Sequence, residues 1–371
     1  MELRDTLEEA TFRAEVREWL AANNPGLTAL TDTAAKKEWS RRMYEAGYAG
    51  LTWPAEYGGG GAPYTFYAIQ LEEWARAEAP PHVGVIGLGM AGPTIIAHGT
   101  EEQKQRHLAN ILSAEEIWCQ GFSEPGAGSD LSAVRTSAEQ RGDHFVVNGQ
   151  KVWSSHASVA DWCILVTRSD PESQRHAGLT YLLVDMHSPG IDVRPLVHIT
   201  GDADFSEIFF DDVEVPIENV LDEIGNGWTV AMTTLLHERG TLGFSLTGGL
   251  EVLVRKLVAL ATERGVEDSR LRQEVAREWI ELQALKLTNV RSLTKLVETG
   301  IPGPEGSVSK LQWSEQMQRL TKLAVEIAEG APDDFWRHVQ LRTRGNTIEA
   351  GTSEILRNII AERVLGLPRS R

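Results

Sequence analysis

The chain has 371 residues, 42% of them hydrophobic and 24% charged, with a net charge of −17. That length buries a large core and divides into two or three domains, and the acidic balance argues against a nucleic-acid partner, which needs a basic face. Two cysteines, Cys119 and Cys163, have no metal-ligand spacing and are too few to staple so long a chain, which fits a reducing cytoplasm.

The amino terminus, Met1-Glu2-Leu3-Arg4-Asp5-Thr6-Leu7-Glu8-Glu9, lacks the basic start and apolar centre of a signal peptide, so a cytoplasmic location is expected. From Asp5 to about Leu112 the pattern is helical, with Phe12, Val16, Trp19 and Leu20 at spacings of three and four and a second amphipathic run around Ile69, Glu72, Glu73 and Trp74. Pro25-Gly26, the glycines from Gly58 to Gly61, and Pro80-Pro81 break it into pieces. The longest uncharged stretch, Val83 to Ala97, is shorter than the ~20 residues a membrane helix needs and is interrupted by glycines and Pro93, so it reads as a buried helix and loop.

From Trp118 the period changes. Phe145-Val146-Val147 and Gln150-Lys151-Val152-Trp153 flank Asn148-Gly149, a dipeptide suited to a type I′ turn, and predict a hairpin. Strands are also predicted at Trp162 to Arg168, Leu179 to Asp185, Ile191 to Arg194 and Phe205 to Phe210, and their grouping predicts a separate β domain. After Pro216 and Gly225-Asn226-Gly227 helical periodicity returns, in Val275, Trp279, Leu282, Leu285, Leu293 and Leu296 and again in Ile355, Ile359, Ile360 and Val364. Pro302-Gly303-Pro304 separates two of these helices, and four long helices with short joints predict an antiparallel bundle. The histidines, His237 among them, form no ligand cluster in the sequence, so no metal is expected.

The run Trp118-Cys119-Gln120-Gly121-Phe122-Ser123-Glu124-Pro125-Gly126-Ala127-Gly128-Ser129-Asp130 offers small residues whose N–H groups can approach an anionic or carbonyl-rich ligand. Some thirty residues later Lys151-Val152-Trp153-Ser154-Ser155 supplies a Trp able to cover an aromatic ring. In this order the two motifs resemble the flavin-binding signature of the acyl-CoA dehydrogenase family. The resemblance extends over most of the chain, through Leu51-Thr52-Trp53-Pro54-Ala55-Glu56-Tyr57-Gly58-Gly59, His98-Gly99-Thr100-Glu101-Glu102-Gln103-Lys104, Phe209 to Pro216, and the closing Ile359 to Gly366. It implies an α+β multidomain fold: an N-terminal α-helical domain over 1–117, a central β-barrel-like domain over 118–224 and a C-terminal four-helix bundle over 225–371.

The same resemblance implies FAD as cofactor and an acyl-CoA as substrate, with electrons passed to an electron-transferring flavoprotein. By position Phe122 and Ser123 would meet the pyrimidine edge of the isoalloxazine, with Gln120 nearby. Trp153 would lie against the ring and Ser155 near N5. Gly128 and Ser129 would approach the cofactor and the substrate's pantetheine arm, and Thr352 and Glu354 match positions that touch the flavin. From local pattern alone Trp153 reads as a core aromatic in a hairpin, and Thr352 and Glu354 as a helix start and a solvated charge. Because CoA carries phosphates and the chain is acidic, Arg135, Lys151 and Arg239 are the candidates to offset the field.

Dehydrogenation across Cα–Cβ needs a carboxylate for the α-proton. Many family members carry it just before the Gly-Thr of the last bundle segment, where this chain has Ala350 before Gly351-Thr352. A minority carries it on an earlier helix before an Arg, which matches Glu238-Arg239 in Leu235-Leu236-His237-Glu238-Arg239-Gly240. The resemblance therefore assigns the base to Glu238, which on its own reads as a solvated helix carboxylate, with Glu349 as its rival. Arg239 is assigned to the CoA portion or to a bundle ion pair, and the backbone N–H of Ala350 to the thioester oxygen. The family's Arg and Phe pair that reaches a neighbouring subunit's flavin has no match around Glu263-Arg264-Gly265-Val266, and its adenosine-end Gln and glycines are replaced near Glu326 to Gly330. That pattern resembles a branch pairing two unlike subunits and its homo-oligomeric relatives, so a homo-oligomer or a heterotetramer with a related subunit is expected. Alternatives are an acyl-CoA oxidase or flavin monooxygenase on the same fold, or a non-catalytic partner subunit.

Overall fold

The computed structural model describes residues 4–240, 242–300 and 303–369, with no side chain described at 238–240 or 242. Five helices come first: α1 (Leu7–Asn23), α2 (Thr33–Glu45), α3 (Tyr64–Arg76), α4 (Gly92–His98) and α5 (Glu101–Ser113). Seven strands follow: β1 (Trp118–Gly121), β2 (Ser137–Arg141), β3 (His144–Ser155), β4 (Trp162–Arg168), β5 (Leu179–Asp185), β6 (Ile191–Leu196) and β7 (Phe205–Pro216). Then come α6 (Gly227–Gly240), α7 (Leu242–Glu263), α8 (Ser269–Thr299), α9 (Gly306–Ile327), α10 (Asp334–Asn346) and α11 (Ser353–Ile359). The order is helical, then β, then helical, as the expected fold class requires.

Local chemistry fixes the helix ends. The Thr6 hydroxyl accepts the Glu9 N–H while the Glu9 carboxylate accepts that of Thr6, and Thr100 and Gln103 repeat the exchange at the start of α5. Each capping box satisfies two donors that the helix leaves unpaired. Asp268 caps α8, and Gly300 ends it in the left-handed region at φ 70°.

In the sheet β1 runs parallel to β4, and the antiparallel pairs are β4 with β5, β2 with β3, β3 with β7, and β7 with β6. One face of β4 and β5 packs Cys163, Leu165, Leu182 and Val184 against Phe145, Val147, Phe210 and Val213. The other packs Ile164, Val166, Tyr181 and Leu183 against Leu108, Ile111 and Leu112 of α5 and Val230 and Ala231 of α6. Covered on both sides, these two strands carry unbroken apolar runs rather than alternation.

The predicted hairpin at Asn148-Gly149 does not form. β3 runs unbroken through the dipeptide opposite β7, with a bulge between Val147 and Gly149, and the turn lies earlier, at Gly142-Asp143 between β2 and β3. The Asn148 amide is engaged across the sheet, donating to Asp212 Oδ1 and accepting the Asp212 N–H, each at 2.9 Å. Gly149 passes so near Thr136 that a Cβ would lie 2.6 Å from its Oγ1. Its glycine serves close backbone approach at a bulge, not a turn.

The chain divides into two compact units, one of residues 1–29, 63–80 and 238–371 and the other of 30–62 and 81–237. The first joins α1 and α3 to α7 and the helices after it, around Leu250, Val254, Leu257, Leu282, Leu285, Leu320 and Trp336. Within it α3 and α7 touch so closely that a Cβ on Gly248 would lie 2.5 Å from that of Ala75. The second unit holds α2, α4, α5, the whole sheet and α6 up to His237. Among the described residues no helix is long and apolar enough to cross a membrane.

Candidate active site

β1 ends at Gly121 and delivers Phe122 and Ser123 to the side of β3. Gln120 is half-buried on β1. The Phe122 ring is core, edge-on to Tyr181 with centroids 5.9 Å apart, so only its backbone is open to a ligand. Ser123 is half-buried, and its carbonyl accepts the Val152 N–H at 2.9 Å. Glu124 and Ala127 exchange both backbone bonds, at 2.9 and 3.0 Å, closing a turn after which Gly128 and Ser129 emerge exposed. Nothing lies within 4 Å of where a Cβ would sit on Gly126 or Gly128, so the loop backbone is approachable.

Trp153 marks the place where β3 leaves its ladder. The register against β7 shifts between Lys151 and Ser154, and Trp153 takes φ +61°, a conformation costly for a bulky residue. The residue is 59% exposed, so the reading as a core aromatic fails. Phe205 stands edge-on to it at 6.1 Å and pairs in register with half-buried Ser155. An exposed indole beside an open loop with backbone donors and serine hydroxyls suits a flat heteroaromatic ligand with carbonyl edges, which is the chemistry of an isoalloxazine.

Lys151 does not serve as a phosphate ligand. Its ammonium is fully buried, donating to Glu124 Oε1 at 2.8 Å and to the Phe122 carbonyl at 3.1 Å. Arg135 is exposed and, among the described residues, makes no ion pair.

In the helical unit the segment after α10 holds Ala350 at φ +50° and Gly351 at φ +95°. Buried Lys310 of α9 fixes it, donating to the carbonyls of Asn346 at 2.7 Å and Gly351 at 2.9 Å. Thr352 caps α11, its hydroxyl accepting the Ile355 N–H at 3.2 Å, and Glu354 is exposed. Glu349 is gripped by both terminal nitrogens of Arg342, at 3.2 and 2.9 Å. Glu238 and Arg239 fall within the span of α6, but their side chains lie outside the described residues.

The structure adds residues that the sequence pattern did not single out. Glu124 stood inside the flavin-type loop without a role, and Lys310 carried no signal beyond being a lysine in an amphipathic helix. The expectation that no histidine stands in a ligand cluster needs amending, because ligand atoms of His198, Asp202 and Asp204 lie within 4.8 Å of one another. That group is tied up internally, with Thr200 bonded to both His198 and Asp202.

Residues 6–115, 119–213 and 225–365 match the N-terminal, middle and C-terminal domains of acyl-CoA dehydrogenase. The chain is 43% identical over 380 residues to acyl-CoA dehydrogenase IpdE1 of Mycobacterium tuberculosis, covering 96% of this chain and 97% of that protein. Its fold is similar to that of a solved structure described as the Tcur3481-Tcur3483 steroid ACAD, at TM-score 0.87 and 29% identity over the whole of both chains. The same values hold for the ChsE4-ChsE5 complex from Mycobacterium tuberculosis. Sequence, domain order and fold thus define a flavin-dependent oxidoreductase. The chain belongs to the acyl-CoA dehydrogenase family, which dehydrogenates acyl-CoA with FAD as cofactor.

Proposed function

We propose that the chain oxidises the Cα–Cβ bond of an acyl-CoA thioester to the trans-2-enoyl-CoA, with Glu238 taking the α-proton. FAD, when bound, supplies the hydride acceptor at its N5. Phe122, Ser123 and Gln120 take the pyrimidine side and Trp153 and Ser155 the ring, and Thr352 and Glu354 are assigned to the flavin by the family resemblance. Gly128 and Ser129 face the pantetheine arm, Arg239 the CoA portion, and the Ala350 N–H the thioester oxygen, on a loop that Lys310 holds still.

One observation carries the choice of base. At the position just before Gly351-Thr352 stands Ala350, which cannot accept a proton, and its neighbour Glu349 is already held by Arg342. A carboxylate already bonded through both oxygens to a guanidinium is the poorer candidate, which leaves Glu238 for the role. The test compares Glu238→Gln with Glu349→Gln. The first is expected to keep FAD and ligand while slowing α-proton exchange into deuterium at least about 100-fold, within the range of general-base contributions. The second should change exchange little. A dead Glu349→Gln enzyme beside an active Glu238→Gln enzyme would reverse the assignment.

The division into 1–117, 118–224 and 225–371 goes with this reading, as does an electron-transferring flavoprotein as acceptor. The solved relatives, one described as a steroid ACAD and both named as pairs of chains, support a CoA thioester with a bulky ring-bearing acyl group and a partner subunit of related sequence. A screen of CoA thioesters with an artificial electron acceptor tests the first. Mass measurement of the purified assembly tests the second.

A further inference from the structure

The two halves of the proposed flavin seat, the loop after β1 and Trp153 on β3, are joined by a buried ion pair. Lys151 Nζ, with its side chain wholly buried, bonds Glu124 Oε1 at 2.8 Å and the Phe122 carbonyl at 3.1 Å. Glu124, 8% exposed in its side chain, also accepts the backbone N–H groups of Arg135 at 2.7 Å and Thr136 at 2.8 Å. One residue beyond Lys151, the Val152 N–H takes the Ser123 carbonyl at 2.9 Å, and one residue further Trp153 turns left-handed.

These contacts have a directional consequence. The carbonyls of Phe122 and Ser123 are both consumed inward, by the ammonium and by Val152, so these two residues have their N–H groups and the Ser123 hydroxyl left to offer outward. A loop facing outward with donors fits the carbonyl-rich edge of a flavin, and one presenting carbonyls would repel it. Stability is a weak reason for such a pair, since buried charges cost about as much to desolvate as they return, and an apolar pair often serves as well. An apolar pair would, however, leave the Phe122 carbonyl and the N–H groups of Arg135 and Thr136 without partners. Burial pushes the Glu124 carboxyl up, yet the Lys151 charge and hydrogen bond outweigh it and hold the group below the ordinary range.

We infer that Lys151 and Glu124 are positioning residues that set the register of the Phe122–Ser129 loop against Trp153 and thereby fix which atoms meet the cofactor. The inference rests on the proposed placement of FAD at this loop, and the experiment separates the two. FAD affinity of the full-length chain, in the assembly in which it purifies, is measured by flavin fluorescence and by the visible spectrum of the bound cofactor, beside thermal unfolding of the same samples. Glu124→Gln keeps shape and removes the charge, and the double variant Glu124→Gln with Lys151→Met removes both charges together. Both are expected to bind FAD at least tenfold more weakly with an altered visible spectrum, while the double variant melts within about 5 °C of wild type. Either variant retaining wild-type affinity and spectrum overturns the inference, and Glu124→Gln decides alone if the double variant does not fold. A Trp153→Ala protein binding FAD as wild type does would instead overturn the placement of the cofactor.

Discussion

Replacing Glu251 by Gln should remove about 3 kcal/mol of stability from the helical unit, and the loss should depend on pH in a defined way. Glu251 lies on α7, 3% exposed, where it accepts Lys286 Nζ of α8 at 2.6 Å and Arg255 at 2.8 Å, with Arg76 of α3 at 3.5 Å. Burial pushes its carboxyl up, but the hydrogen bonds from Lys286 and Arg255 and the charges of Lys286 and Arg76 prevail and hold it at about 2 against an ordinary 4.5. Each tenfold difference in proton affinity is worth about 1.4 kcal/mol, so the carboxylate contributes roughly 3 kcal/mol at neutral pH. The folded value is the depressed one, so this contribution is fully present above about 4.5 and is lost as the pH falls toward 2. At pH 3.5 linkage gives a loss of about 1.4 kcal/mol of it. Urea unfolding of the wild type and Glu251→Gln, followed by far-UV circular dichroism at pH 7 and 3.5, measures both quantities. The two proteins should differ by about 3 kcal/mol at pH 7 and by roughly half that at pH 3.5. Curves that stay parallel over this range would refute the reasoning, because they would mean that the carboxylate titrates alike in the folded and unfolded chains.

Trp153→Ala should weaken FAD binding about ten- to a hundredfold, since covering a large aromatic surface is worth about 1.5–3 kcal/mol; flavin content unchanged after dialysis would exclude the indole from the seat. Gly149→Ala should cost roughly 1–3 kcal/mol, because its Cβ would press on Thr136 atoms 2.6 to 2.9 Å away, and an unchanged melting temperature would show that β3 and Thr136 can part. Under air, turnover with a CoA thioester should proceed with an artificial acceptor and little peroxide, whereas stoichiometric peroxide would make the chain an oxidase.

Much of the architecture was legible because it is locally encoded. The strands at Trp162–Arg168 and Leu179–Asp185 appear with the predicted bounds, since their central residues are buried on both faces and each run closes on a half-buried charge, Arg168 or Asp185. Asn148-Gly149 misled for the complementary reason. The dipeptide favours a turn in isolation, but the approach of Thr136 and the two bonds to Asp212 decide its conformation from a distance.

The sequence by itself determined the order of helical, β and helical parts, the loop and indole that suit a flavin, and the vacancy of a carboxylate at Ala350. Only the tertiary structure decided where charges and rings point: Lys151 inward onto Glu124, the Trp153 indole outward, and Glu349 into the grip of Arg342. Alternation along a strand assigns a side chain to a face, but its partner is set by segments far away in the chain. A buried ammonium takes whichever carboxylate the fold brings within reach, because leaving it unpaired costs more than any local preference can offset.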